Sequence, residues 1–152
     1  MTAYCVSAER AQLVWHYSKQ RPFHGYGISP DAIHIADCSA YVSLVFNWAM
    51  HTAQAYLADP LGLNYSGYGY TGTELNWLKW NAKSPGGPFL PGDLAVYGQP
   101  GSNGSHTVVC RKQGTDKTAV WSSNGSESAP NAVKLHDHPD PLMGVWRHPA
   151  LA

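Results

Sequence analysis

Charge is scarce in this chain: Asp, Glu, Lys and Arg together make up 13% of its 152 residues, and ten basic residues balance ten acidic ones. That is about half the usual charged share. With no positive excess there is no electrostatic footprint for nucleic acid. No apolar run approaches the ~20 residues needed to cross a bilayer as a helix, so no membrane partner is expected. Residues 1–9 lack the basic and apolar regions of a signal peptide, and the expectation is a protein that does not export itself. Cysteine is also sparse. Cys5, Cys38 and Cys110 are an odd number, which leaves at least one unpaired within a monomer and argues against a disulfide scaffold. What the chain has instead is a 43% hydrophobic fraction, nine Tyr and six Trp. This suits a single domain over 1–152 with a real core and an aromatic surface fitted to a sugar-peptide wall.

The stretch around Cys38 organises the rest. From Asp37 to Met50 the residues read as an apolar helix, with Tyr41, Val42, Val45 and Ala49 on the face headed by Cys38, and Ser43, Asn47 and His51 opposite. A thiol in the first turn of a helix meets unpaired backbone N–H groups and the positive end of the dipole, which favour the thiolate. The same N–H groups suit an oxyanion formed when sulfur attacks a carbonyl.

In chain order, Ser7 predicts the cap of a helix from Ala8 to about Gln20, ended by Arg21-Pro22, and the Gly and Pro residues of 23–30 predict a loop leading to Asp37. The Tyr, Gly and Asn run 64–72 has no core pattern and reads as a surface excursion. Thr73 predicts the cap of a short helix over 74–81, broken at Pro85-Gly86-Gly87-Pro88. Five short β-like segments follow, at 93–97, 105–111, 117–123, 132–135 and 143–147, separated by turn clusters. Helices first and an antiparallel meander afterwards predict an α+β fold with the cysteine helix laid on the sheet.

His106 opens the second of these segments, and a period of two puts it on one face with Val108 and Cys110. If that face carries the cysteine helix, imidazole and thiol meet, and His106 can take the thiol proton and return it to a leaving amine. A third polar group is needed to fix the ring tautomer. Asn124, Glu127 and Ser122 are all candidates, and spacing does not choose among them.

Asp37-Cys38-Ser39, Pro91-Gly92-Asp93-Leu94-Ala95-Val96-Tyr97 and Ser105-His106-Thr107-Val108-Val109 together resemble, in order and spacing, the NlpC-type papain-like cell-wall peptidases. The resemblance runs over 26–127 and is strongest to the peptidase modules of bacteriophage endolysins. It implies a papain-like fold with Cys38 as nucleophile and His106 as base. It further implies that Tyr26, Asp37 and Ser39 lie in the substrate-binding region, with Tyr26 near the oxyanion. The implied activity is cleavage of peptidoglycan stem peptide, commonly at the γ-D-glutamyl to diaminopimelate bond, by a monomer held in the host cytoplasm until released to the wall. Such a chain is either a whole lysin or one module of a longer one. Two positions depart from the family pattern. Ala40 stands where Gly is usual, and the third catalytic position, usually His, Asn, Gln or Glu, is best matched by Asn124 with Glu127 behind it.

No cofactor and no metal are expected. His136-Asp137-His138-Pro139-Asp140 looks like a ligand cluster, but Pro139 breaks the strand and no third ligand of matched spacing follows, so the run reads as a solvated turn. Cys5 and Cys110 read as structural. The alternatives to a hydrolase are an inactive wall-binding module of the same fold and a thiol acyltransferase.

Overall fold

The computed structural model describes residues 71–123 and 131–149, together with residues 14, 15, 35, 36, 38, 39, 41, 42 and 45. Within these, β1 (Val14–Trp15) pairs in parallel with β2 (Ile35–Ala36). The helix expected over Ala8 to Gln20 is therefore corrected at Val14 and Trp15, where a β-branched and an aromatic residue favour the extended chain. Residues 38, 39, 41, 42 and 45 are helical, as the apolar stripe headed by Cys38 predicts.

The helix expected at 74–81 begins earlier: α1 runs Thr71–Asn81. Its buried residues Thr71, Glu74, Leu75 and Leu78 follow the i, i+3, i+4, i+7 rule for one face. Glu74 in the first turn and Lys79 in the last complement the dipole, and the Asn81 amide donates to the Trp77 carbonyl at 2.9 Å. The surface excursion read over 64–72 is thus wrong at its end, because Thr71 and Gly72 are buried in the opening turn of α1.

A five-stranded antiparallel sheet holds the rest: β3 (Leu94–Tyr97), β4 (His106–Lys112), β5 (Val120–Ser123), β6 (Asn131–Val133) and β7 (Leu142–Trp146). The order β6-β5-β4-β3-β7 is not the simple meander expected, since β7 returns to the free side of β3. The α+β class stands.

Register sorts the side chains into two faces. Tyr97 opposes His106 and Ala95 opposes Val108, while Cys110 opposes Trp121 and Trp121 opposes Val133. These residues form the first face; of them Ala95, Tyr97, Val108, Cys110 and Trp121 make a buried cluster with Ala119, Leu135 and Val145, against which Phe89, Val133 and Leu142 pack. Phe89 meets Trp121 edge-on at 5.3 Å between centroids. The second face carries Leu94, Val96, Thr107, Val109 and Ser122, all fully buried. Burial on both sides explains why these strands read as apolar runs and not as clean alternation.

The Pro91-Gly92-Asp93 turn is a fixed corner. Gly92 adopts φ +102°, its N–H donates to the Cys110 carbonyl, and the Cys110 N–H donates to the Asp93 carbonyl, both at 2.8 Å. The Asp93 carboxylate accepts from the Leu90 N–H at 2.8 Å and takes the Arg147 guanidinium as a fork, Nε and Nη2 each at 2.7 Å. This ties the entry of β3 to the exit of β7.

Candidate active site

Cys38 is half-buried at the head of the helical cysteine segment, and its Sγ lies 3.7 Å from Thr71 Oγ1 at the head of α1. Two helix starts converge there. Thr71 also abuts the turn before β4: a Cβ placed on Gly104, which has φ +78°, would stand 2.9 Å from Thr71 Cγ2. The thiol is therefore held at the end of the sheet where His106 begins β4. Ser39, beside it, is buried.

One turn along, the Tyr41 hydroxyl shares a 2.6 Å hydrogen bond with Ser122 Oγ, and from α1 Glu74 Oε1 accepts from Thr107 Oγ1 at 3.0 Å. Both contacts are with the second face of the sheet. The layer bearing Cys38 thus rests on the face of Thr107 and Ser122, not on the face of His106.

His106 keeps the company that strand alternation predicts, Val108 and Cys110, but that face is covered by the segment after β6. The condition under which thiol and imidazole would meet directly, a cysteine helix lying on the face of His106, is not fulfilled by these contacts. His106 Nε2 lies 2.8 Å from Ser123 Oγ in a buried hydrogen bond. Its ring stacks on His138 with centroids 4.7 Å apart and planes 6° from parallel. Tyr97 closes the group, 4.7 Å from the His138 ring and 6.1 Å from that of His106, with its hydroxyl donating to the Leu135 carbonyl at 2.6 Å. A cavity of about 110 Å³ opens here, lined by His106, Ser123, Val108, Lys134, Asp137 and His138 among others.

Burial, followed by the neighbouring His138, pushes His106 down to about 4, with Asp140 acting in the opposite sense. The imidazole is neutral at pH 7, so it has a lone pair to accept a proton and little tendency to rest as imidazolium. His138 has its Nδ1 engaged as acceptor of the Asp140 N–H at 3.1 Å, and Asp140 accepts from the Ser105 hydroxyl beside His106.

Tyr26, Asp37, Asn124 and Glu127 lie outside the described residues. Ser122, the remaining candidate for orienting the imidazole, is on the wrong face and is held by Tyr41. Ser123 takes that contact instead. Sequence reasoning passed over it although the signal was available, because Trp121 and Ser123 share a face and a shift of one residue reverses every side chain.

The His136 to Asp140 run divides among separate tasks. His136 pairs with Asp116 at 2.9 Å on the surface, His138 stacks on His106, and Asp137 accepts from the Lys134 N–H at 2.7 Å. Among the described residues no group of three or more His, Cys, Asp or Glu is arranged to hold a metal ion. Cys110 sits in the core with its thiol toward the Lys112 carbonyl at 3.4 Å, and Cys5 lies outside the described residues. Comparison with protein-family models, characterised proteins and solved structures finds no match to this chain.

Proposed function

We propose that the protein is a cysteine endopeptidase that hydrolyses stem peptides of bacterial peptidoglycan, as the resemblance of its three motifs to NlpC-type endolysin peptidases implies. The observation that carries this reading is the place of the Cys38 thiol: half-buried, in the first turn of a helix, and linked through Thr71 and Gly104 to the start of β4, where His106 stands.

In the reaction, Cys38 Sγ attacks the scissile carbonyl carbon while the helix N–H groups receive the developing oxyanion. The thiol proton passes to the neutral imidazole of His106 and then to the departing amine, leaving a thioester that water hydrolyses. Thiol and imidazole approach the first residues of β4 from its two faces, so the reading requires an ordered water to carry this proton between them. No metal or cofactor takes part. The γ-D-glutamyl to diaminopimelate bond is the proposed point of cleavage, the bacterial wall the partner, and lysis of a host by a phage enzyme the setting.

A wall-binding module of the same fold that does not hydrolyse is the second reading. It is favoured by one observation, the attachment of Tyr41 and His106 to opposite faces of the sheet. Incubation with purified diaminopimelate-type muropeptides, with products weighed by mass spectrometry, separates the two. The expected result is a pair of fragments that together exceed the substrate by one water, and none from folded Cys38→Ala. Equal cleavage by Cys38→Ala would sink the thiol mechanism, and tight binding without products from the parent would select the binding module.

A further inference from the structure

We infer that Ser123 is the positioning residue of His106: its hydroxyl oxygen accepts the Nε2–H and so leaves Nδ1 as the nitrogen that exchanges a proton with the cysteine. The inference rests on the peptidase reading for its purpose, but its geometry stands apart from it. Ser123 Oγ is 2.8 Å from Nε2, and both residues are at least nine-tenths buried, so water does not compete for the bond.

The two residues are brought together by sheet register. β4 and β5 run antiparallel with Val109 opposite Ser122, which carries Ser123 to the face of His106 and toward the open end of the strand pair. The ring cannot turn freely to present the other nitrogen. His138 lies flat on it at 4.7 Å, Tyr97 flanks it, and Val108 bounds the same cavity. A neutral imidazole carries one proton, and a hydroxyl can accept from Nε2–H or donate to a bare Nε2; the inference is that it accepts. With Nε2–H directed to the hydroxyl oxygen, Nδ1 holds the lone pair. When the thiol proton arrives, it enters at Nδ1 and the Nε2 bond stays in place. No bond to Ser123 forms or breaks in the reaction.

A hydroxyl in this position is a departure from an amide or carboxylate. It orients the ring without adding a negative charge, so it does not offset the desolvation that keeps imidazolium unfavourable here. Lys134, Asp137 and Asp140 are the charged groups around this ring, and of these Asp140 acts to favour the charged form.

The test is nitrogen-15 NMR of the imidazole in the Cys38→Ala protein, where no thiol perturbs the ring and no activity is needed. The expected result is a single Nε2–H tautomer for His106, retained in Ser123→Thr and converted to a mixture with Nδ1–H in Ser123→Ala. In the Cys38 enzyme, Ser123→Ala should lower kcat about 10-fold with KM little changed, and Ser123→Thr should restore most of it. An Nδ1–H tautomer in the parent, or an unchanged tautomer in Ser123→Ala, would overturn the assignment. Covalent labelling of Ser123 by phenylmethylsulfonyl fluoride would also overturn it by making the hydroxyl a nucleophile. Loss of the peptidase reading would show differently, as no muropeptide cleavage by the parent protein, and loss of the thiol mechanism as cleavage that survives in Cys38→Ala.

Discussion

Replacing Asp93 by Ala should unfold the protein more readily without touching the chemistry. The carboxylate is 1% exposed and accepts three bonds, from Arg147 Nε and Nη2 at 2.7 Å and from the Leu90 N–H at 2.8 Å. Bonds to a charged group contribute about 1.5–3 kcal/mol each, and breaking a buried ion pair costs about 3–5 kcal/mol. The Arg147 side chain keeps 19% of its surface in water, so its guanidinium is partly rehydrated when Asp93 is lost. The lower end applies, about 3 kcal/mol, or roughly 6–12 °C in Tm for a chain of this length. Urea unfolding at pH 7 followed by tryptophan fluorescence measures it. Arg147→Lys, which keeps the charge but not the fork, should give a smaller loss, and the double replacement should lose less than the two singles summed. A change under about 0.5 kcal/mol in Asp93→Ala would refute the view that this motif acts as a clamp between β3 and β7.

Two further outcomes follow from the same contacts. His106 is held neutral with its value lowered from 6.5 to about 4, so the unfolded chain binds its proton first. The stabilisation is whole above about 6.5 and is lost as pH falls toward 4, at most about 3 kcal/mol. The gap in urea midpoint between the parent and His106→Gln should therefore shrink from pH 7 to pH 4, and a gap independent of pH would count against the burial argument. Gly104→Ala places a Cβ 2.9 Å from Thr71 Cγ2 and 3.0 Å from Val96 Cγ1 at φ +78°, and it should cost about 1–3 kcal/mol. The same denaturation assay reads it, with Thr71→Ser expected to relieve part of the loss.

The strands were legible because turn chemistry brackets them: each of the five expected segments contains or overlaps an observed strand, and the ends differ by a few residues. The helical stripe at Cys38, Tyr41, Val42 and Val45 was legible from its period. The start of α1 was not, since Thr71 and Gly72 carry turn-like identities, and what buries them, the approach of Thr71 to Gly104, joins segments far apart in the sequence. Val14 and Trp15 misled in the opposite way, fitting a helical stripe while pairing with Ile35 and Ala36 across a separation no local pattern encodes. The Asp93 and Arg147 fork joins residues 54 apart, and proximity of that kind is not a property of either segment alone.

Which face of β4 serves which neighbour was the least legible feature, and it matters most for the site. Alternation groups His106 with Val108 and Cys110 but says nothing about what covers them, because both faces of this sheet are buried. Polar residues decide it. Thr107 and Ser122 are the hydroxyls of the second face, and each finds a partner in the helical layer, Glu74 and Tyr41. Ser123 and His106, on the first face, find each other. A buried hydroxyl without a partner costs about 1–3 kcal/mol, so exchanging the two faces would strand at least the Thr107 and Ser122 hydroxyls against the apolar Trp121 cluster. The polar pairing thus selects the face on which the cysteine layer docks, and it is the face opposite His106.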